Sequence, residues 1–286
     1  MLLEQARERP NALAVDDGTH TRSFGELVER ARRFAHFLNH EAGLAPGSHL
    51  ALLLGNRVEA IECLLGGIFA GLWVTPINWH LAESEIDYVL ADSGAKILVT
   101  DDRFAQTARR VGARHAGVSL IEVGDAFDRL LDGMRPGPLD LSAPVGGNMI
   151  YTSGTTGRPK GVQRALPASL GAALSGFERY GRSIGLDGSG PHLITGPMYH
   201  AAPLMFAIYD NASGAPIVIM PRWDDHEALE ILVRREIAHA HFVPTMFVRL
   251  LRLPDAIREA FLAPALRVVL HGAAPISVAV KRRMLE

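Results

Sequence analysis

The sequence has 286 residues, of which 48% are hydrophobic and 21% are charged, a balance typical of a globular chain with a substantial core. Its formal net charge of −2 shows no basic excess of the kind expected for a nucleic-acid-binding protein. The single cysteine, Cys63, excludes an internal disulfide and a cysteine-rich zinc site, and its apolar setting predicts an inert core thiol. No apolar run predicts a membrane span, and the mixed charges near the N-terminus do not resemble a secretory signal, so we expect a cytoplasmic protein.

Helical and strand-like patterns alternate along the first half of the chain. Ser23 and Glu26 have the spacing of a capping box, which predicts that a helix begins there. The apolar residues that follow recur on one helical face: Leu27, Ala31, Phe34 and Leu38. The next patterns predict a buried strand at residues 49–54, further strands at residues 96–99 and 118–123, and helices at residues 59–72, 83–92 and 104–111.

The second half continues in the same way after a connection rich in Gly and Pro at residues 133–144. We expect strands at residues 192–195, 216–220, 241–243 and 266–270, and helices at residues 224–236 and 245–251, with another helix starting near residue 279. This alternation predicts an α/β fold, with layered mixed or parallel sheets and flanking helices.

A segment rich in glycine and hydroxyl residues lies between the two halves, with the sequence YTSGTTGRPKG at residues 151–161. Glycines let a backbone turn sharply and bring amide donors close to an anion. The hydroxyls of Ser153, Thr155 and Thr156 add further donors, and Lys160 adds a positive charge that can reach phosphate oxygens. We therefore interpret this segment as a phosphate-binding loop.

Two other phosphate loops do not fit this segment. A Walker A loop needs a lysine followed by serine or threonine, whereas Lys160 is followed by Gly161, and Gly157 is followed by Arg158. The GxGxxG loop of kinases is not matched either. A flexible surface turn would share the composition, but the complete string after the apolar residues 149–151 favours a dedicated loop.

The complete string resembles the signature of the adenylate-forming superfamily, which includes acyl-CoA synthetases, peptide-synthetase adenylation domains and luciferases. Other segments resemble motifs of the same superfamily along nearly the whole chain: FGEL at residues 24–27, PGSHLALLLGN at 46–56, PIN at 76–78, LADSGAK at 90–96, PMYHAAP at 197–203 and HGAAP at 271–275. The resemblance implies the large N-terminal domain of such an enzyme, with lobes of roughly residues 1–185 and 186–286.

The resemblance also implies a reaction and its cofactors. In these enzymes a carboxylate attacks the α-phosphate of ATP, and a thiol, usually that of CoA, then takes the acyl group from the adenylate. The implied catalytic residues are Thr152, which meets Mg²⁺ or phosphate, Lys160, which stabilises the departing pyrophosphate, and His200, which lies near the acyl carboxylate. The other implied nucleotide contacts are Ser153, Gly154, Thr155, Thr156 and Gly157 around the phosphates, and Gly272, Ala273, Ala274 and Pro275 beside the adenine.

The same resemblance implies a pocket for the acid. Its predicted lining residues are Tyr199, His200, Ala201, Phe242 and Met246. Ala201 and Ala202 are small and leave room for an acyl chain or ring. The chain departs from the family pattern at His271, which replaces the first glycine of the usual GGAP, and at residues 162–167, which replace the usual THxN continuation.

The family's later motifs are missing from the sequence: an aromatic–threonine–glutamate motif, a ribose-binding aspartate, and the small C-terminal domain with its second lysine. We therefore expect an incomplete adenylation domain with little complete ligase turnover. The favoured function is activation of a carboxylic acid, with a lean towards fatty acids, to an acyl-adenylate and then acyl-CoA. The alternative is a non-catalytic nucleotide- or acyl-binding remnant of such a ligase. The expected partners are the acid, ATP and CoA, and no nucleic acid is expected. The sequence does not decide whether the chain forms a homodimer.

Overall fold

The computed structural model describes residues 1–152, 158–272 and 274–285. The strands are β1 Leu13–Asp16, β2 Thr21–Ser23, β3 His49–Leu53, β4 Trp73–Pro76, β5 Ile97–Thr100, β6 Ser119–Glu122, β7 Gly147–Asn148, β8 Ile150–Thr152, β9 Lys160–Val162, β10 His192–Ile194, β11 Ile217–Ile219, β12 His239–Phe242 and β13 Val268–His271. The helices are α1 Leu2–Glu8, α2 Phe24–His36, α3 Val58–Phe69, α4 Glu83–Ser93, α5 Ala105–Gly112, α6 Asp125–Gly133, α7 Leu170–Ser183, α8 Ala201–Ser213, α9 Asp225–Arg234, α10 Pro244–Leu250, α11 Asp255–Ala260 and α12 Val278–Leu285, with a π-helical turn at Phe37–Glu41.

These strands form two mainly parallel sheets and a hairpin. The first sheet has the order β13-β12-β10-β11-β1-β2, in which only β2 runs antiparallel to its neighbour. The second sheet has the order β6-β5-β3-β4-β7 and is parallel throughout. Strands β8 and β9 pair as an antiparallel hairpin. The predicted α/β architecture with parallel sheets and flanking helices is therefore confirmed.

Helix α2 forms where its sequence signals indicate. The amide of Ser23 donates to Glu26 Oε2 at 2.8 Å and the amide of Glu26 donates to Ser23 Oγ at 3.2 Å, which completes the predicted capping box. The four apolar residues of the predicted face are fully buried: Leu27, Ala31, Phe34 and Leu38. This face anchors α2 in the main core, where it packs against α3.

Helix α3 is buried along its whole length and packs closely through glycines. A Cβ atom on Gly66 would come within 2.7 Å of the Phe34 ring on α2, and one on Gly67 within 2.4 Å of Val74 on β4. A larger residue at either position would push the helix off its neighbours. Cys63 lies in this helix with no exposed surface, and burial raises the pKa of its thiol, so the prediction of an inert core cysteine is confirmed.

The charge of a buried glutamate on α3 is balanced by arginines on β2 and α2. Glu62 is fully buried, and its Oε1 accepts from Arg22 Nε at 2.6 Å and from Arg30 Nε at 2.7 Å. Arg30 also donates to Asp128 on α6 at 2.7 Å. A buried carboxylate needs such partners because desolvating an isolated charge costs several kcal/mol. This network fixes α2, α3 and α6 against one another.

Several elements lay outside the sequence-based expectations. They are α1, α6, α7, α8, α11, β1, β2, β4, β7 and β9. Helix α8 begins without a side-chain cap and carries Pro203 in its first turn, and α7 contains three glycines, so the usual start signals and propensities were weak. Strands β1 and β2 join the sheet whose other strands come from residues 192–271. The division of the chain into two lobes near residue 185 stays a prediction.

Candidate active site

The two sheets are joined near their carboxyl ends by the side chain of Asn56, which follows β3. Its Nδ2 donates to the carbonyl of Gly196 at 3.0 Å and to that of Met220 at 2.9 Å. Its Oδ1 accepts from the amide of Met198 at 2.9 Å. Gly196 lies two residues after β10 and Met220 directly follows β11, so one amide group holds the loops of the first sheet against a loop of the second. Carboxyl ends of parallel strands are where α/β proteins place ligands.

An aromatic cluster lies beside this junction. The ring of Tyr199, which follows β10, packs edge-on against Trp79, which follows β4, with centroids 4.6 Å apart. Trp79 also stacks near Phe104 at 5.9 Å, and the guanidinium of Arg103 lies 4.8 Å from the Phe104 ring. Tyr199 is 9% exposed, so its ring acts mainly as packing between the two sheets. The predicted pocket residue Tyr199 is therefore part of this wall.

His200 lies at the N-terminus of α8, immediately after the aromatic cluster. Its ring centroid is 4.4 Å from that of Tyr199, and its amide donates to the carbonyl of Pro197 at 3.1 Å. The residue reaches the surface, yet partial burial of the ring and the neighbouring His80 lower the pKa of His200. The imidazole is therefore neutral near pH 7. It can donate or accept a hydrogen bond but supplies no positive charge to a carboxylate.

The predicted phosphate loop is carried by the β8–β9 hairpin. Thr152 ends β8 and Lys160 begins β9, and the two residues are direct partners in the antiparallel register. Both are exposed. Five predicted phosphate ligands lie outside the described residues: Ser153, Gly154, Thr155, Thr156 and Gly157. The described ends of the segment thus place one hydroxyl and one ammonium group together at the base of the loop.

Helix α4 holds this hairpin in place. The hydroxyl of Tyr151 donates to Asp92 Oδ2 at 2.6 Å, and the hydroxyl of Tyr88 donates to the carbonyl of Pro159 at 3.2 Å. Burial and the Asp92 contact raise the pKa of Tyr151, so it stays a neutral donor. The guanidinium of Arg158 lies 5.4 Å from the centre of the Tyr88 ring. Tyr151 is thus a strand residue that supports the loop, as the sequence predicted.

A residue larger than glycine at position 161 would crowd the packing under the hairpin. A Cβ atom there would lie 3.0 Å from Met149 Sδ and 3.1 Å from the ring of Tyr151. The side chains of Tyr151 and Tyr88 belong to the same hydrophobic cluster as Trp79 and Phe104. The base of the loop and the aromatic cluster therefore share one apolar support.

The second predicted nucleotide contact follows β13. Gly272 is half-buried, Ala274 and Pro275 are exposed, and Ala273 lies outside the described residues. His271, which replaces a glycine of the family pattern, ends β13, and its ring packs edge-on near Phe247 at 6.0 Å. Gly272 itself keeps an open face. A Cβ atom there would meet only His241 Nε2 within 4 Å among the described residues, at 4.0 Å.

The predicted acid-pocket residues fall into two groups. Ala201 is half-buried in the first turn of α8, next to Tyr199 and His200. Phe242 and Met246 instead pack in a separate core cluster with α9 and α10, where the Phe242 ring stacks near Phe247 at 5.5 Å. The structure does not bring these two residues together with the α8 group. Their assignment to the acid pocket stays a prediction.

His241 is a residue that the sequence-based site did not include. It precedes Phe242 on β12, so its side chain projects from the opposite face of the strand, where its ring lies 5.4 Å from Phe206 on α8. The residue is 2% exposed, and its Nε2 has no hydrogen-bond partner among the described residues. Burial, together with His192 and His271, lowers the pKa of His241 to about 4. A histidine in an apolar strand was the only signal in the sequence.

The same face of the first sheet carries a buried polar cluster at the amino ends of its strands. Asp210 Oδ2 on α8 lies 3.0 Å from His192 Nδ1 and 2.6 Å from His239 Nδ1. All three side chains are buried. Burial alone would raise the pKa of Asp210, but the hydrogen bonds from the two histidines bring it below its ordinary value. Within the described ranges this is the one group of His, Cys, Asp and Glu side chains close enough to share a metal ion, and it does not include Thr152.

Together these features define an α/β domain whose parallel sheets meet at their carboxyl ends, with Thr152 and Lys160 paired on the β8–β9 hairpin. The chain belongs to the AMP-binding enzyme family, which it matches over residues 2–286. In the described part of the chain, no helix combines the length and apolar character that a membrane crossing requires.

Relatives of the chain are ligases with different acids in their names. A 2-succinylbenzoate–CoA ligase of Geobacillus kaustophilus is 31% identical, over 95% of this chain and 54% of the relative. A feruloyl-CoA synthase of an Amycolatopsis species is 31% identical, over 99% of this chain and 56% of the relative. The chain thus spans about half the length of these curated relatives.

A solved structure supports the fold. A Mycobacterium tuberculosis fatty acyl CoA synthetase superposes with a TM-score of 0.83 at 23% identity, over 99% of this chain and 56% of that one. At this identity the likeness concerns the architecture alone. It agrees with the two parallel sheets and flanking helices described above.

Proposed function

We propose that this chain supports the ATP-dependent activation of a carboxylic acid, first to an acyl-adenylate with release of pyrophosphate, and then to an acyl-CoA thioester. The observation that carries the proposal is the pairing of Thr152 with Lys160 at the base of the loop, next to the converging ends of both sheets. A hydroxyl and an ammonium at one loop base are suited to an anionic polyphosphate.

The first step brings a carboxylate to a negatively charged phosphate, so positioning and charge neutralisation are the main tasks of the protein. We assign Lys160 to the phosphates, where its ammonium would offset the charge that builds up on the departing pyrophosphate. We assign His200 to the acid. Since its lowered pKa keeps the imidazole neutral, it would orient the carboxylate by a hydrogen bond.

The arrangement at the base of the loop is compatible with Mg²⁺ and ATP, and the ion would need few protein ligands. Thr152 offers one exposed hydroxyl oxygen, a hard ligand of the kind that Mg²⁺ accepts. Mg²⁺ usually keeps several waters and binds substrate phosphates, so one protein ligand is compatible with it. When bound, the ion would neutralise phosphate charge. Gly272, Ala274 and Pro275 are the described residues proposed to border the adenine, with Ala273 between them.

The acid and the thiol acceptor are further parts of the proposal. A fatty acid is the class that the sequence favours, and CoA is the proposed acceptor in the cytoplasm. The different acids in the names of the relatives make a panel of aliphatic and aromatic acids the appropriate test. The alternative function, a non-catalytic nucleotide- or acyl-binding remnant, predicts binding of ATP or acid without acid-dependent exchange.

Acid-dependent exchange of labelled pyrophosphate into ATP tests the first step directly. Lys160→Ala should lower the exchange rate by about a hundredfold or more, because one transition-state donor contributes about 3–4 kcal/mol. Lys96→Ala is the matched control, since Lys96 is an exposed lysine beside β5 that has no assigned role. Equal exchange in both variants would refute the role of Lys160. Binding of ATP without exchange for any acid would favour the remnant.

A further inference from the structure

Two histidines lie side by side at the amino edge of the first sheet. His192 and His239 begin β10 and β12, and the parallel register makes them direct partners. Side chains paired in this way project from the same face of a sheet, which here is the face covered by α8. Asp210, in the last turn of α8, reaches both rings, since its Oδ2 lies 3.0 Å from His192 Nδ1 and 2.6 Å from His239 Nδ1.

The three side chains converge in a buried position. His192 and Asp210 have no exposed surface, and His239 is 1% exposed. One ligand atom from each residue lies within 4.8 Å of the other two. A tetrahedral ion with bonds of about 2.0–2.1 Å holds its ligand atoms about 3.3 Å apart. The shortest contact, between Asp210 and His239, would therefore lengthen by about 0.7 Å around such an ion.

Hydrogen bonds to Asp210 alone leave the two imidazoles poorly matched to their surroundings. If each neutral ring donates its Nδ1 proton to Asp210, its Nε2 is left as a bare acceptor. Nε2 of His192 has no partner among the described residues. Nε2 of His239 lies 3.6 Å from Asp187 Oδ1, which is another acceptor. Two acceptors that face each other repel, and a buried acceptor without a donor is unfavourable.

A metal ion bound at the Nδ1 atoms removes the mismatch at His239. The ring proton then resides on Nε2, which can donate to Asp187, and metal-bound histidines usually direct their second N–H to a carboxylate in this way. The charges also balance, because one divalent cation offsets the carboxylates of Asp210 and Asp187 while both imidazoles stay neutral. The metal-free alternative is a doubly protonated His239 between the two carboxylates. Nε2 of His192 lacks a described partner in either case, so the argument depends on His239.

A short turn forms the outer wall of this cluster. The amide of Gly188 donates to Asp210 Oδ1 at 3.0 Å, which leaves Oδ2 for the position shared by the histidines. Asp187 and Ser189, on either side of Gly188, are exposed. An ion can therefore reach the cluster by displacement of this turn, without separation of the strands.

We propose that His192, His239 and Asp210 bind one divalent transition-metal ion, of which Zn²⁺ is the representative, through two imidazole nitrogens and one carboxylate oxygen. Asp187 is the positioning residue that holds His239 through Nε2. The ion ties the end of α8 to β10 and β12. The site lies at the opposite edge of the sheet from the candidate active site, so this inference does not depend on acid activation, and its test needs no exchange assay.

Binding of Zn²⁺ alone to the full chain, after metal has been removed with a chelator, tests the proposal. Calorimetry should give one equivalent with a Kd of about 1 μM or below. Zn²⁺ in about hundredfold excess over Kd should raise Tm by about 4 °C. Binding that is absent or not stoichiometric, or that leaves Tm unchanged, overturns the proposal and favours the doubly protonated His239.

Three variants locate the bound ion. His239→Gln removes one ligand and should abolish stoichiometric binding. Asp187→Asn alters an exposed residue that does not touch the ion, so the fold is kept and Kd should rise by about 10- to 100-fold. His40→Gln is the matched control, because His36 and His40 form another close pair of imidazoles, with ring centroids 4.5 Å apart, at the end of α2. This variant should bind Zn²⁺ as the wild type does.

The variants also provide the results that would contradict the assignment. Binding that is lost in His40→Gln and kept in His239→Gln would place Zn²⁺ at the surface pair and overturn the proposal. If His239→Gln does not fold, Asp187→Asn still decides, since a Kd equal to that of the wild type overturns the geometry proposed for His239.

Discussion

Replacing Asn56 by alanine should weaken both the fold and the candidate site. The substitution removes three hydrogen bonds, to Gly196, Met220 and Met198, from a side chain that is only 9% exposed. At about 1 kcal/mol net for each bond, the loss is about 3 kcal/mol. The entropy of unfolding is about 2.1 cal/mol/K per residue, so 286 residues give about 0.6 kcal/mol/K and a fall in Tm of about 5 °C.

The site should suffer more than the stability alone implies. Asn56 attaches the loop that contains Tyr199 and His200 to the second sheet. Without its amide this attachment is lost, so acid-dependent pyrophosphate exchange should fall even at temperatures well below Tm. Asn211→Ala is the matched control. Asn211 is 1% exposed and donates to the carbonyls of Ala14 and Ala215, away from the junction, so its loss should cost about 2 kcal/mol and leave exchange per folded molecule intact.

Thermal melting and exchange measured at a temperature where both variants are folded check this reasoning. We expect both variants to melt earlier and only Asn56→Ala to lose exchange. A Tm shift below about 1 °C for Asn56→Ala, or an equal loss of exchange in Asn211→Ala, would show that the junction does not position the site.

Three further predictions follow from the buried and partly buried polar groups. Glu62→Ala leaves Arg22 and Arg30 without their shared carboxylate and should cost about 3 kcal/mol in urea unfolding, whereas a loss below about 1 kcal/mol would mean that solvent replaces the pair. Tyr151→Phe removes the bond to Asp92, so stability should fall by about 1 kcal/mol and the KM for ATP should rise, unless the hairpin is held without it. The pKa of His241 falls from 6.5 to about 4 on folding, so the unfolded chain takes up this proton first. The free energy of unfolding is therefore unaffected by this histidine above pH 6.5 and decreases towards pH 4 by up to about 1.4 kcal/mol per pH unit. His241→Gln should flatten this slope in unfolding curves measured at a series of pH values.

Local signals predicted those parts of the site that are continuous in the chain. Thr152 and Lys160 lie in one motif, and the structure pairs them across a hairpin, which agrees with a loop held at its base. The small residues of α8 were also recognised from their motif. The aromatic neighbours of Tyr199 were not predicted, because Trp79 and His80 lie about 120 residues away in the sequence and no local pattern links them. His241 was missed since strand alternation alone does not reveal an unpartnered atom.

The sequence by itself determined the elements whose causes are local. The capping box started α2, apolar periodicity buried its face, and an apolar run became β3, because these depend on contacts within a few residues. Only the tertiary structure decided which strands share a sheet and what joins the sheets. The partners of Asn56 are 140 to 164 residues distant, and β1 pairs with β11 across a still longer separation. Such pairings depend on how all layers pack at once, and that information is spread over the whole chain.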